Sequence, residues 1–134
     1  MEHKIRYSSE QRPKTEQIIE LYRSSGISRP IDDFERIRRM YQNSNLVVTA
    51  WDDEVLVGVA RSITDFAYCC YLSDLAVRSD NQNRGIGKKL IEFTRDVIGE
   101  KCMLLLLSAP GAMEYYPHIG FEKVQNGFVI KRLK

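Results

Sequence analysis

The sequence has few of the features that mark a disulfide-rich, membrane-spanning or nucleic-acid-binding protein. Its three cysteines are odd in number and lack Cys-x-x-Cys spacing, which gives no support to a disulfide framework or a metal site. It has no run of roughly 18 apolar residues, so no transmembrane helix is expected. Lysine and arginine exceed aspartate and glutamate by only 20 to 18. That balance is too even to indicate binding to nucleic acid or to a membrane surface.

The length and composition of the chain suit one globular domain. With 134 residues, 43% of them hydrophobic, the chain can bury a substantial core, and we expect a single domain over residues 1–134. Residues 1–6 lack the apolar centre of a signal peptide. We therefore expect a cytoplasmic location.

Hydrophobic periodicity and turn signals predict alternating helices and strands. Before residue 80 they predict a strand at 4–7, helices at 13–24 and 30–41, and strands at 46–51, 55–63 and 67–77. After a helix that Gly99 ends, they predict a buried strand at 102–108 and a closing pair at 121–124 and 128–132, joined at Asn126-Gly127.

The segment 82–87, Gln-Asn-Arg-Gly-Ile-Gly, lies between a predicted strand and an amphipathic helix. The first turn of a helix has backbone N–H groups without intrahelical partners, and the aligned peptide dipoles favour an anion there. Glycine at 85 and 87 lets an anion approach the backbone closely. The junction is therefore predicted to bind a phosphate.

Two common phosphate-binding motifs do not fit this segment. A Walker A loop would need glycine at Gln82 and a hydroxyl residue at Lys89. A dinucleotide fingerprint would need glycine at Leu90 and an acidic residue at the end of the next strand, where the chain has leucines. Neither a nucleotide triphosphatase nor a Rossmann site is expected.

The remaining pattern, Gln-x-x-Gly-x-Gly after a strand that ends Asp-Leu-Ala-Val, resembles the acetyl-CoA pyrophosphate loop of the GNAT N-acetyltransferase superfamily. A second stretch, 112–121, resembles the family's later signature Ala-x-x-Phe-Tyr-x-x-x-Gly-Phe, with Tyr115 at the phenylalanine position. The resemblance implies an α/β (α+β) GNAT fold. Its sheet would be mixed, mostly antiparallel and twisted, with six to seven strands, about four helices and splayed central parallel strands.

The resemblance also implies a site for acetyl-CoA as cosubstrate, with no metal. The main chain of the strand end would hold the pantetheine arm and the acetyl group, with an N–H near Leu75 polarising the thioester, and the loop and helix start would surround the pyrophosphate. The residues implied for the pantetheine arm and acetyl group are Leu75, Ala76 and Val77. Those implied for the pyrophosphate are Gln82, Arg84, Gly85, Ile86, Gly87 and Lys88.

For catalysis the resemblance implies that Tyr116 protonates the departing CoA thiolate during transfer of the acetyl group to a primary amine. Because a residue before proline is disfavoured in helical conformation, Pro117 predicts that Tyr116 ends its helix, and Tyr115 is the second candidate. Asp74 is the carboxylate nearest the reaction strand and is a candidate base. The same residue could instead be a buried acid paired with an arginine, with water relaying the proton.

The acceptor, a small-molecule or peptide amine, is the least defined part. In the resembled family its pocket is formed by segments that correspond here to 24–30, Arg61, Phe66 and Phe128, and Arg29 and Arg61 could recognise an anionic substrate group. The closing strand pair could support a homodimer. An alternative function is a catalytically idle acyl-CoA-binding sensor or interaction protein.

Overall fold

The centre of the computed structural model, which describes residues 4–134, is a five-stranded mixed sheet in the order β1-β2-β3-β4-β5. The strands are β1 (Arg6–Ser8), β2 (Leu46–Asp52), β3 (Val55–Thr64), β4 (Cys69–Val77) and β5 (Met103–Leu106). Neighbours pair antiparallel except β4 and β5, which are parallel. The N-terminal segment considered for a signal peptide begins with residues 1–3, which lie outside the described range.

Helices cover both faces of the sheet. They are α1 (Thr15–Ser25), α2 (Phe34–Gln42), α3 (Ile86–Ile98) and α4 (Tyr115–His118). Helices α1 and α2 bury their apolar stripes on one face, against a cluster that includes Val47, Trp51 and Val59. Helix α3 packs on the other face and connects β4 to β5. Two apolar clusters, one on each side of the sheet, therefore form the core.

Helix α2 begins later than the sequence pattern predicts. The predicted start near Pro30 is wrong, because the chain makes a turn there in which the Asp33 N–H donates to Pro30 O. Asp33 is the N-cap, and its side chain accepts from the Arg36 N–H. The capping aspartate, which satisfies an otherwise unpaired donor, sets the start of the helix.

Strand β4 contains a β-bulge. Arg61 of β3 pairs with Asp74, but the next residue, Ser62, pairs with Leu72. Ser73 is therefore an extra residue on β4. A bulge of this kind redirects the side chains that follow it.

The bulge exchanges the faces of β4. Before the bulge, Leu72 packs in the apolar cluster on the α3 side of the sheet, on the same face as Cys70 two residues earlier. After it, Leu75 and Val77 face α3, while Ala76 joins the cluster under α1 and α2. Because side chains alternate along a strand, Asp74 then points to the α1–α2 side.

The parallel pair splays, as the resemblance implies. Pairing between β4 and β5 runs only from Cys69↔Met103 to Leu72↔Leu106. Strand β4 continues to Val77 and stays paired with β3 on its other side, where Val77 lies opposite Gly58. The end of β4 is thus left without a strand partner on the β5 side within the described chain.

The predicted closing strands, 121–124 and 128–132, are wrong for this structure: residues 121–134 form neither helix nor strand. Phe128, Ile130 and Leu133 are 99%, 100% and 99% exposed. A two-stranded hairpin is marginal in water unless it joins a larger sheet, and this segment does not pair with β5. The sheet therefore has five strands over residues 4–134, not six or seven. No helix in this range is long and apolar enough to cross a membrane.

Gly58 allows α3 to approach the sheet. A Cβ at this position would lie 3.0 Å from Leu90 Cδ1 and 3.2 Å from Ile86 Cγ2, both in the core. These distances are shorter than ordinary van der Waals contacts between carbon atoms. The absence of a side chain at Gly58 thus lets the first turns of α3 lie close against β3, next to the end of β4.

We expect Gly58→Val to lower the free energy of unfolding by about 1–3 kcal/mol, because added methyl groups overpack the contact with Leu90 and Ile86. Urea denaturation measures this. Gly111→Val is the control, since a Cβ at Gly111 meets nothing within 4 Å. Equal stability of the two variants would contradict the close approach.

Candidate functional site

The N-terminus of α3 presents free backbone donors. Gly85 is its N-cap in a left-handed conformation with φ of 77°, which favours glycine, and no side chain of the described chain caps the helix there. The first helical bond runs from the Lys89 N–H to Gly85 O. The N–H groups of Ile86, Gly87 and Lys88 therefore have no intrahelical acceptor. The first turn also contains no acidic residue.

The predicted loop residues divide between anchoring and solvent-facing positions. The Gln82 amide donates to Val77 O at 3.0 Å, which ties the loop to the end of β4. Ile86 is buried in the core beneath the helix start. Arg84, just before the helix, and Lys88, in its first turn, are both exposed. Two positive side chains therefore border the helix terminus, where the dipole also favours an anion.

Gly87 is the point at which the loop, the strand end and the tyrosine motif meet. A Cβ built there would lie 3.5 Å from Tyr115 Oη, 3.8 Å from Val77 Cγ2 and 4.0 Å from Leu75 Cδ2. These are ordinary contact distances. The structure thus brings together the two signatures that are separated in the sequence.

The two tyrosines occupy different places. Tyr115 is 40% exposed, whereas Tyr116 is half-buried against the α3-side core. The Tyr116 ring lies edge-on to Tyr115 at 5.2 Å and to Phe121 at 5.5 Å between ring centroids. Burial raises the pKa of both hydroxyls, so both are protonated at neutral pH.

Pro117 does not end the helix at Tyr116, contrary to the sequence prediction. The short helix α4 includes both residues, because proline is tolerated in a first helical turn, where its missing N–H would have no partner.

Asp74 lies at the centre of a buried polar cluster on the opposite face of the sheet. Its side chain is 0% exposed. Arg61 donates to it from Nε at 2.9 Å and from Nη2 at 3.1 Å, and Arg29 Nε donates at 2.8 Å. Tyr22 Oη, which also contacts Tyr41 Oη, donates at 2.6 Å. Two guanidinium groups therefore neutralise one buried carboxylate.

These partners decide the charge state of Asp74. Burial alone would raise the pKa of its carboxyl, but the hydrogen bonds and charge of Arg61, with smaller contributions from Tyr22 and Arg29, hold the pKa below its ordinary value. A carboxylate of lowered pKa is a weak proton acceptor. The pairing matches the second sequence interpretation, a buried acid bound by arginine, while a role as base stays a prediction.

Comparison with protein-family models gives a match to the acetyltransferase (GNAT) domain over residues 15–133. The chain belongs to the GNAT acetyltransferase family. No curated protein sequence matches it.

Solved structures share the GNAT fold of this chain. A protein of unknown function from meticillin-resistant Staphylococcus aureus, a probable acetyltransferase, has a TM-score of 0.81 at 23% identity, covering 96% of this chain and 100% of its own. An aminoglycoside acetyltransferase from an uncultured soil metagenomic sample, in complex with trehalose, scores 0.69 at 27% identity, covering 98% and 96%. AAC(6')-Iy in complex with a bisubstrate CoA analogue scores 0.72 at 15% identity, covering 96% and 98%.

In this GNAT domain the Asp74 cluster also fixes the β4 bulge. Arg29 Nη2 donates to Ser73 O at 2.8 Å, and Arg61 Nη2 donates to Ser73 Oγ at 2.9 Å. Ser73 Oγ in turn contacts Asp74 Oδ1 at 3.0 Å. The extra residue of the bulge is held through both its backbone and its side chain.

The sequence analysis offered a pair between Asp74 and an arginine as an alternative, but it did not identify Arg29 and Arg61 as the partners. Arg29 and Arg61 were expected at the acceptor pocket, where they could bind an anionic substrate group, but their donors are engaged by Asp74 and Ser73. The available signal was an arginine inside the apolar run of β3 and an aspartate inside that of β4. Such residues are rarely buried unless they are paired.

The described residues contain no group of three or more histidine, cysteine, aspartate or glutamate side chains that could hold a metal ion.

We expect Asp74→Asn to lower the free energy of unfolding by about 3–5 kcal/mol, because it leaves the buried guanidinium of Arg61 and the partly exposed one of Arg29 without their anion. Chemical denaturation at pH 7 measures this. Asp80→Asn is the control, because Asp80 is 71% exposed and its pair with Arg78 is at the surface. A loss no larger than that of the control would show that the cluster does not hold the fold.

The same variant should change the pH dependence of stability. Because the pKa of Asp74 is lower in the folded than in the unfolded chain, its ionised form stabilises the fold above about pH 3.9. This contribution is lost as pH falls through the folded-state pKa. The stability difference between wild type and Asp74→Asn should therefore narrow in acid, and a constant difference down to pH 2 would contradict this.

Proposed function

We propose that this chain is an acetyl-CoA-dependent N-acetyltransferase that transfers the acetyl group to a primary amine by direct attack. The observation that carries the proposal is the meeting, at Gly87, of an uncapped helix terminus, the splayed end of β4 and Tyr115 of α4. The helix terminus suits a pyrophosphate, and the unpaired strand edge suits the amides of a pantetheine arm.

The donor would lie along the cleft from α3 to β4. Its pyrophosphate would accept from the N–H groups at 86–88, between the charges of Arg84 and Lys88. Main-chain groups of 75–77 would pair with the pantetheine arm, as a further strand would. An N–H near Leu75 would donate to the acetyl oxygen, where negative charge develops during attack.

In the proposed reaction the neutral amine attacks the thioester carbonyl, a C–N bond forms and the C–S bond breaks. The leaving thiolate takes a proton from the Tyr116 hydroxyl, and the amine gives up its proton. Tyr116 is proposed for this role because it is half-buried and packs in the same cluster as Leu75 and Val77. Tyr115, whose hydroxyl lies near Gly87, would contact the donor closer to its phosphates.

We propose that water receives the amine proton. A base must reach its substrate, and the Asp74 carboxylate is buried and already bound by two arginines and a tyrosine. Asp74 would then serve the reaction by holding the bulge that shapes the end of β4. A direct role for Asp74 as base would require this cluster to open.

The acceptor is proposed to be a primary amine of a small molecule or peptide. This class is consistent with aminoglycoside acetyltransferases being among the solved proteins of the same fold. A catalytically idle acyl-CoA-binding protein would share the donor cleft. It would differ by binding acetyl-CoA without releasing free thiol in the presence of any amine.

The two tyrosines provide a matched pair of variants. We expect Tyr116→Phe to lower kcat by about 10²–10⁴-fold with little change in the KM for acetyl-CoA, since it removes the proton donor. Tyr115→Phe should mainly raise the KM for acetyl-CoA. Thiol release in a screen of amine classes measures both, and full turnover by Tyr116→Phe would refute the acid assignment.

The pH profile gives an independent check of the acid. Because burial raises the pKa of Tyr116 above its ordinary value of about 10, the group stays protonated as pH rises from 7 to 10. Activity should therefore rise with pH over this range as the amine loses its proton. A decline that begins near pH 8 and disappears in Tyr116→Phe would be inconsistent with this pKa.

Donor binding can be tested at Gly87 without turnover. Gly87→Glu places a carboxylate at the helix terminus, where it competes with the pyrophosphate and repels it, so acetyl-CoA should no longer stabilise the protein against heat. At a ligand concentration one hundred times Kd the lost stabilisation is about 2.7 kcal/mol. Gly111→Glu, in open space, is the control. Unchanged stabilisation in Gly87→Glu would exclude the proposed pyrophosphate site.

A further inference from the structure

The segment that connects α1 to α2 carries an arginine that reaches into the sheet. Arg29 lies between Ile27 and Ile31, which both pack against the apolar cluster beneath the two helices. The Ile31 N–H donates to Arg29 O at 2.8 Å, so the backbone that carries the side chain is itself held. The Arg29 side chain reaches β4 and is still 28% exposed. It therefore approaches the strand from a fixed position and stays within reach of solvent.

Arg29 is not needed to balance the charge of Asp74. Arg61 alone bonds both carboxylate oxygens, from Nε at 2.9 Å and from Nη2 at 3.1 Å, and its side chain is only 8% exposed. Tyr22 Oη and Ser73 Oγ make two further contacts with the same carboxylate, at 2.6 and 3.0 Å. One carboxylate and one bidentate guanidinium form a balanced pair. The presence of a second guanidinium needs another explanation.

The contact that distinguishes Arg29 is with the backbone of the bulge. Its Nη2 donates to Ser73 O at 2.8 Å, while its Nε donates to Asp74 Oδ1 at 2.8 Å. Arg61 bonds Ser73 only through the side-chain hydroxyl. Ser73 has no partner residue on β3 and lies just beyond the last pair between β4 and β5. Because the ladder is disrupted at a bulge, strand pairing does not set the direction of this peptide, and Arg29 does so instead.

Fixing this carbonyl also fixes the donors that follow it. Because a peptide unit is planar, the direction of Ser73 O sets the direction of the Asp74 N–H in the same unit. The next N–H belongs to Leu75, where the acetyl oxygen is proposed to bind. Since the guanidinium is planar and rigid, it holds the Ser73 carbonyl and the Asp74 carboxylate in a fixed relation to each other. A misplacement of about 1 Å in a reacting group can cost about 10²-fold in rate.

We propose that Arg29 is a positioning residue for acetyl transfer. It holds the peptide unit between Ser73 and Asp74, and so aims the N–H of Leu75 at the acetyl oxygen. The inference rests on the proposed function, because this N–H acts on the acetyl group of the donor. Arg29 itself contacts neither the donor nor the acceptor in this role, which differs from binding an anionic group of the substrate.

Arg29→Ala separates positioning from binding. We expect kcat to fall about 10–100-fold, because the bulge peptide loses its fixed direction. The KM for the amine and the thermal stabilisation by acetyl-CoA should stay within about threefold of wild type in the corresponding constants. Glu20→Ala is the control and should keep the wild-type kcat, since it removes an exposed pair between α1 and Arg78 without touching the bulge. A higher KM for the amine at unchanged kcat would mean that Arg29 binds substrate, and would overturn the proposal.

Added guanidinium ion tests the same contact in the Arg29→Ala protein. Because the Arg29 side chain is partly exposed, the ion can enter the space that the substitution leaves. At concentrations well below those that unfold the protein, it should raise kcat by about tenfold, since it restores a planar donor to Ser73 O and Asp74. Urea, a neutral molecule of similar shape, should not. No increase with guanidinium, or an equal increase with urea, would show that the lost activity does not come from this contact.

Hydrogen exchange measures the bulge without any reaction. In Arg29→Ala the amides of 74–77 should exchange at least about tenfold faster, while those of β2 keep their wild-type rates, because the Arg61–Asp74 pair still holds the fold. Faster exchange throughout the sheet would mean a general loss of stability and would overturn the positioning role. Wild-type exchange at 74–77 in a fully active Arg29→Ala enzyme would refute this inference alone. Absence of thiol release by wild type with every amine would refute the proposed function, and the inference with it.

Discussion

The buried ion pair between Asp74 and its two arginines is the interaction on which the site depends. A carboxylate without solvent exposure is tolerated only when paired, and Arg61 and Arg29 supply both charge and hydrogen bonds. The same arginines hold Ser73 and so fix the bulge. This cluster links three elements that are distant in sequence: the α1–α2 connection, β3 and β4.

The bulge has consequences on the other face of the sheet. By reversing the alternation of β4, it turns Leu75 and Val77 toward α3 and leaves their strand end beside the helix terminus. Gly58 permits the close approach of that helix. The cleft between α3 and the end of β4, which we propose for the donor, therefore follows from an electrostatic cluster on one face, an inserted residue in the strand and a missing side chain on the other face. Asp74 belongs to the strand end that precedes the first sequence signature, but Ser73, Gly58 and the two arginines belong to neither signature.

Sequence patterns were most reliable where they reflect local physical chemistry. Helix α3 ends at Gly99, as the glycine predicts, and a short turn joins β2 to β3 between the strands predicted at 46–51 and 55–63. The start of α2 was wrong because capping by Asp33 outweighs the apolar pattern that begins near Pro30. The closing strands were wrong because a strand needs a neighbouring edge, and propensity at Phe128 and Ile130 does not supply one within the chain.

The sequence by itself determined the family, the order of most helices and strands, and the glycine loop at a strand–helix junction. These depend on spacing and on backbone conformations that only a few residue types allow. The tertiary structure alone decided that two arginines bind Asp74 and that residues 121–134 leave the sheet. It also decided that Tyr115 lies near Gly87 while Tyr116 packs in the core. These depend on contacts between distant residues and on one bulge that reverses the faces of a strand.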